Sequence, residues 1–217
     1  MKRHRVLLAD DHTLVIEGIK KLLEPHFDLV GAVEDGRALL VAAAELRPDV
    51  ILADISMPLL NGLDAVRQLK KSLPTAKVVF LSMHADPAYV SEAFAVGGSG
   101  YLLKSSVASE LVFAIDEVLK GRYYVTPSVT KDLVGSLVGL QSETRRQRPE
   151  AFGQLTARQR EVLQLVAEGK ANKEIASVLK ISPKTVEFHK SRIMRELGLH
   201  TTAELTRYAI SHGIVSL

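Results

Sequence analysis

Three carboxylates in the front of this 217-residue chain sit where chemistry is to be expected. Asp54 closes the apolar run Val50-Ile51-Leu52-Ala53 and is followed by Ile55-Ser56-Met57-Pro58. Asp10 and Asp11 close a second run, Val6-Leu7-Leu8-Ala9. Short aliphatic runs bounded by polar residues or proline read as buried strands. Carboxylates at the carboxyl ends of such strands lie where open α/β sheets bind ligands. If the two strands are parallel neighbours, the three acids meet at one edge. Like charges that close cannot all stay ionised without a cation, and the hard cation suited to an all-oxygen site is Mg²⁺.

The elements that must position these acids alternate along the first ~120 residues, in the way that implies a parallel sheet with helices on both faces. Strands are predicted at Arg5–Ala9, Asp28–Val33, Val50–Asp54, Lys77–Ser82 and Gly100–Leu103. Helices are predicted over 14–23, 37–46, 63–72, 88–96 and 108–120. Asn61-Gly62, Gly97-Gly98 and Gly121 punctuate the pattern as turns. A further amphipathic helix is predicted over 128–140, with Val129, Leu133, Val134 and Leu137 on one side. The segment 141–150 has no apolar residue and contains Arg145-Arg146-Gln147-Arg148-Pro149, a linker composition. These arginines could touch a polyanion or simply keep a hinge solvated.

From Leu155 the pattern is helical throughout. Thr156 precedes a helix over 157–168, with Gly169 just past its end. Asn172 is the expected N-cap of a helix over 173–180. Ser182-Pro183 opens a helix that runs to residue 197 and is closed by Gly198. Thr202 is the expected cap of a last helix over 203–212. Two helices joined by a tight turn within four short helices make a helix-turn-helix. In its second helix Val186, His189, Ile193 and Leu197 share one face and should pack inward. Lys184, Glu187, Phe188, Ser191 and Arg195 share the opposite face, with Arg192 at its flank. That face is the one to place in a major groove.

Charge divides along the same boundary. Residues 1–125 carry 14 Lys and Arg against 16 Asp and Glu, whereas residues 126–217 carry 14 against 9. An acidic front and a basic back suggest that only the back meets a polyanion, although ordinary surface charge would look the same. The absence of cysteine excludes disulfides and thiolate metal sites. No apolar run approaches the ~20 residues of a membrane span, and Met1-Lys2-Arg3-His4-Arg5 is followed by an apolar stretch that breaks at Asp10. A cytoplasmic protein with no membrane partner is expected.

Both halves resemble one known family. Asp10-Asp11, Asp54 with Met57-Pro58 and Asn61-Gly62, Ser82 and Gly100-Tyr101-Leu102-Leu103-Lys104 are similar to the receiver of a two-component response regulator. Leu155-Thr156-Ala157-Arg158-Gln159-Arg160-Glu161-Val162-Leu163, Asn172-Lys173-Glu174-Ile175-Ala176 and Ser182-Pro183-Lys184-Thr185-Val186-Glu187-Phe188-His189 are similar to the output domain of the NarL/FixJ (LuxR-type) class. The resemblance implies an α/β receiver of flavodoxin or CheY-like type, with a five-stranded doubly wound parallel sheet, over 1–122. It implies a partly helical linker over 123–152 and an all-α four-helix DNA-binding domain over 153–217.

By the same resemblance Asp54 is the phosphoacceptor and a sensor histidine kinase the donor. Mg²⁺ is held by Asp11, by Asp54, by the backbone carbonyl of Ser56 and, mostly through water, by Asp10. Lys104 supplies a second cation to the phosphoryl group and Ser82 a hydroxyl. Tyr101 is the switch aromatic that turns inward when Ser82 moves away, though it could be a half-buried packing residue. Ser105 after Lys104, in place of the family's frequent proline, argues against a cis peptide there.

Double-stranded DNA is expected to be met by Lys173, Lys184, Thr185, Glu187, Phe188, Lys190, Ser191, Arg192 and Arg195. Lys173 and Lys190 serve phosphates, while Glu187 and Phe188 could read a cytosine amino group and a thymine methyl. Glu187 could equally pair with Ser191 or Arg192. The family dimerises through its last helix when phosphorylated, which predicts an inverted-repeat site and recruits Glu204, Leu205 and Tyr208; Leu205, Ala209 and Ile210 could instead merely close the small core. Activation in the family frees the recognition helix from the receiver. Two other readings compete. A phosphatase using Asp54 as turnover nucleophile lacks a second acid two residues on, at Ser56, and leaves the helix-turn-helix unexplained. An interaction protein would show no salt-sensitive affinity for DNA.

Overall fold

The computed structural model describes residues 3–130 and 155–215. Its front unit alternates β1 (Arg5–Ala9), α1 (Thr13–Leu23), β2 (Asp28–Val33), α2 (Gly36–Leu46), β3 (Val50–Asp54), α3 (Gly62–Ser72), β4 (Lys77–Ser82), α4 (Pro87–Ala95), β5 (Gly100–Leu103) and α5 (Val107–Leu119). The five predicted strands are found with their predicted bounds. A sixth, β6 (Tyr124–Val125), was not foreseen. It pairs in parallel with β5, and the sheet order is β2-β1-β3-β4-β5-β6. The hydroxyl of Thr126 accepts a hydrogen bond from the Leu103 amide, stitching the segment after the expected boundary at residue 122 to the sheet edge. Two residues are too few to show alternation, so this strand had no readable period.

Alternation along the long strands divides the core. Leu7, Ile51, Val78, Phe80 and Tyr101 face one helical layer with Leu39, Leu63, Val66 and Leu69. Val6, Leu8, Val50, Leu52, Val79 and Leu81 face the other with Ile16, Ile19, Leu111, Ile115 and Val118. Because both faces are covered, β3 is buried along its whole length, as a central parallel strand must be. Asn61 caps α3, its side chain accepting from the Asp64 amide. A Cβ on Gly62 would lie 2.0 Å from the Asp54 carbonyl oxygen, so only glycine lets α3 start against the end of β3. Neither Asp10 nor Asp11 caps α1; the N-cap is His12, which uses no side-chain cap. The chain turns helical again at residues 127–130, and the rest of the expected helix over 128–140, with the linker arginines, lies outside the described residues.

The back unit contains α6 (Ala157–Ala167), α7 (Asn172–Leu179), α8 (Pro183–Leu197) and α9 (Thr202–Ser211). Thr156 and Gln159 form a capping box on α6, and Ser182 caps α8 as expected. Two caps differ by one residue. Ala171 rather than Asn172 precedes α7, with its amide bound by Glu174 Oε2 at 2.7 Å. Thr201 rather than Thr202 caps α9, in a capping box with Glu204. Val162, Leu163, Ile175, Leu179, Val186, Ile193, Leu205 and Ala209 make the core.

The two units meet along a polar seam between α6 and the β3–α3 loop. Gln164 Oε1 accepts from the Asn61 amide at 2.8 Å, and its Nε2 donates to the Met57 carbonyl at 2.8 Å. Arg160 Nε donates to Asp64 Oδ1 at 2.8 Å, and Asp64 is also bound by Arg67. Glu168 accepts from the Leu59 amide at 2.9 Å, while Glu161 binds both Gln68 and Arg37. Leu59 lies at φ 64°, left-handed backbone that is uncommon for a bulky residue. Its side chain packs against the core of the back unit.

Candidate functional site

The ends of β1, β3, β4 and β5 converge on one pocket. Asp10 is completely buried and Asp54 is 3% exposed. Lys104, in the turn after β5, reaches between them: its Nζ lies 2.8 Å from Asp54 Oδ2 and 2.8 Å from Asp10 Oδ2. The contact with Asp54 is a hydrogen bond, whereas Asp10 Oδ2 lacks hydrogen-bond geometry to any partner. Burial pushes the Asp54 carboxyl up to about 6, against the pull of Lys104 and the Ser56 amide, and the Asp10 charge adds to the rise. Burial alone would lower Lys104, but its two carboxylate partners outweigh it and hold the ammonium above its usual range. Positive charge is therefore fixed beside a carboxylate that is easily neutralised.

Ser82 ends β4, buried, and its Oγ accepts from the His84 amide at 3.0 Å and also interacts with the Tyr101 hydroxyl. Tyr101 is fully buried, pointing inward, with its hydroxyl donating to the His84 carbonyl at 2.7 Å; burial pushes its pKa up to about 12. His84 in turn stacks on Tyr89 of α4, 4.7 Å between centroids. Ser56 is half-buried and lines the same pocket as Asp54 and Lys104. No cis peptide occurs among the described residues. Asp10, Asp11, Asp54 and His12 offer ligand atoms within 4.8 Å of one another, a spacing that suits one small cation. His12 was not foreseen there. Its Nδ1 lies 2.9 Å from Asp11 Oδ1 and 3.2 Å from Asp10 Oδ1, and a histidine next to two acids on a helix start carries no period that sets it apart.

The second candidate surface is on α8. Val186 and Ile193 are buried as predicted, and His189 is half-buried, with burial and the nearby Arg158 and Arg192 lowering its pKa. Lys184, Glu187, Ser191, Arg192 and Arg195 are exposed, as is Phe188 at 61%. Lys173 on α7 is exposed too, but Thr185 and Lys190 are half-buried. The Thr185 hydroxyl is 2.8 Å from Ser182 Oγ, part of the local cap. Arg192 pairs with Glu196 at 2.8 Å rather than with Glu187. The side of α8 expected to face a groove thus stands open to solvent while the units are docked. Release from the receiver is not needed to uncover it, because the seam is made by α6 instead. Among the described residues no helix is long and apolar enough to cross a membrane.

A strand-edge acid pocket with a fixed lysine, followed by a helix-turn-helix, defines a signal receiver joined to a DNA-binding unit. Residues 6–116 match the response regulator receiver domain family, and residues 153–209 match the bacterial regulatory proteins of the luxR family. The chain belongs to the LuxR-type response regulators, and is a phosphorylatable regulator of transcription of the two-component type. This is a family of regulators rather than of turnover enzymes. The transcriptional regulatory protein MctR of Rhizobium johnstonii is 40% identical over 98% of this chain and 95% of its own length. DegU of Brevibacillus brevis is 36% identical over 98% and 95%. The RcsB response regulator of Salmonella typhimurium superposes with a TM-score of 0.65 at 29% identity, covering 98% of this chain and 99% of its own. RcsB of Salmonella enterica serovar Typhimurium bound to promoter P1flhDC in the presence of the phosphomimetic BeF3- gives 0.61 at 30% identity, over 97% and 100%.

Proposed function

We propose that Asp54 accepts a phosphoryl group from a sensor histidine kinase with Mg²⁺ as cofactor, and that the acyl phosphate controls binding of double-stranded DNA by α8. The observation that carries this reading is Lys104, held 2.8 Å from the Asp54 carboxylate in a nearly sealed strand-edge pocket. Phosphoryl transfer needs positioning and charge neutralisation more than a strong base. Asp11, Asp54 and the Ser56 carbonyl would hold the ion directly and Asp10 mostly through water; the buried Asp10 Oδ2, whose partner is the Lys104 ammonium, fits such a role. The ion would neutralise charge on the transferred oxygens. Lys104 would swing from Asp54 to the phosphoryl group, and Ser82 would donate its hydroxyl to a phosphoryl oxygen. With Tyr101 already inward and bonded to the His84 carbonyl, the movement of Ser82 would be read through the β4–α4 loop. Hydrolysis of the acyl phosphate at the same site would reset the switch.

On DNA, Lys184, Glu187, Phe188, Ser191 and Arg195 would face base edges, with Arg192 at their flank. Lys173 and Lys190 would contact phosphates. Thr185 would act through the α8 cap as much as by touching DNA. A dimer formed on phosphorylation would ask for an inverted-repeat site. The receiver would extend past residue 122 to include β6 before the linker begins. The test is a Phos-tag gel after incubation with acetyl phosphate and Mg²⁺, with and without EDTA, beside Asp54→Asn. A Mg²⁺-dependent shifted band absent from the variant is the expected result; an equal band in Asp54→Asn rejects the assignment.

A further inference from the structure

The phosphoacceptor pocket is closed over by the other unit. Ile210 of α9, with Gly213 and Val215 just beyond it, lines the same cavity as Asp54, Met83 and Lys104. The approach is close: a Cβ on Gly213 would come within 1.6 Å of the Tyr89 hydroxyl, and Gly213 itself is buried. What remains is a cavity of about 390 Å³, with the exposed side chains of His12 and Met83 among its walls. Pockets of roughly 300–1,000 Å³ hold drug-sized molecules, so a donor of a few heavy atoms fits inside. A histidine carried on a helix does not, because a helix with its side chains is about 10–12 Å across and the end of α9 already occupies the approach. The seam of Gln164, Arg160, Glu168 and Leu59 holds this roof in place, and it does so without covering the reading face of α8.

We propose that the C-terminal end of α9 is a roof that selects the phosphoryl donor: the docked protein takes phosphoryl groups from free acyl phosphates, and takes them from a protein-borne phosphohistidine only when the seam opens. This rests on the reading of Asp54 as the phosphoacceptor. In the free-donor reaction the Asp54 carboxylate oxygen forms a bond to phosphorus. The bond from phosphorus to the acyl oxygen breaks, and the carboxylate of the donor leaves with the electron pair and no proton. Charge is conserved, since one carboxylate is consumed and one released.

The test uses the full chain, wild type and two seam variants whose side chains do not line the pocket. Leu59→Asn removes the apolar plug but suits left-handed backbone, so it does not threaten the receiver fold. Gln164→Ala leaves the Asn61 amide and the Met57 carbonyl without their partner across the seam. Each protein is offered acetyl phosphate, and separately an isolated histidine-phosphotransfer domain phosphorylated with phosphoramidate. Uptake from the phosphorylated domain should rise about tenfold or more in both variants, as expected when a competent open form is scarce, while uptake from acetyl phosphate changes less than about twofold. A protein donor that remains as slow with both variants as with the wild type overturns the roof, as does an equal acceleration of both donors. Failure of every protein to label with either donor would instead reject Asp54 as acceptor.

Discussion

Asp54, Asp10 and Lys104 are nearly sealed from water, whereas Lys184, Glu187, Phe188, Ser191 and Arg195 stand exposed on α8. In the first region each charge is held by another, so function and stability share the same atoms. In the second, the side chains proposed to meet DNA project into solvent, and the fold depends on them little. The receiver site therefore should not be altered without a folding cost or gain, while the DNA face should be free to vary.

The largest expected effect is on chemistry. Asp54→Asn should abolish Mg²⁺-dependent phosphoryl uptake while leaving the protein folded, read by Phos-tag electrophoresis beside circular dichroism. Lys104→Ala should leave two buried carboxylates without their cation. Removing one partner of a buried pair costs about 3–5 kcal/mol, and urea denaturation in Mg²⁺-free buffer should show a loss of that order; a loss below about 1 kcal/mol would mean the pair is better solvated than its geometry indicates. On the other surface, Arg195→Ala should weaken binding to target DNA by about 1–3 kcal/mol if it reaches a base edge, or lower the salt slope by about one if it serves a phosphate. Its stability should stay within about 0.5 kcal/mol of wild type. A variant of Arg195 that unfolds the protein would break the contrast outright.

The smallest effect is one of pH. Asp54 titrates near 6 in the fold against 3.8 for the free side chain, so the folded chain binds more protons than the unfolded chain between those values. Stability contributed by this residue should fall as pH rises from about 4 to 6, and the penalty is fully present above 6. Asp54→Asn should remove that slope in thermal melts without Mg²⁺ and melt higher than wild type at pH 7.5.

The same contrast explains what was readable in the sequence. A carboxylate at the end of an apolar strand interrupts a pattern, so Asp10 and Asp54 were legible from the residues themselves, whereas Ser82 and Lys104 stood out only through the family resemblance, and the sheet brings their strand ends together. On α8 the buried stripe of Val186 and Ile193 fixed the opposite face by period alone. Thr185 and Lys190 were harder, because a flank position of a helix is decided by packing that the period does not resolve. The seam gave no warning. Arg160, Glu161 and Gln164 are buried polar residues of α6, and polar side chains on one side of a helix normally signal water rather than a second domain. The roof at Ile210, Gly213 and Val215 was invisible for a related reason: those residues also fit the closing of a small helical core, and only the docking of the units reveals their second neighbour.

Leu59 bears on how freely such proteins can be recombined. Receivers and output domains look like interchangeable parts, yet here one loop residue holds an unfavourable backbone conformation and buries its side chain in the neighbouring unit. A chimera that keeps this receiver and replaces its output would inherit the awkward backbone without the surface that compensates it, and would leave a leucine facing water beside the acceptor loop. Position 59 is thus a compatibility mark between the two halves, to be exchanged together with α6 rather than left behind.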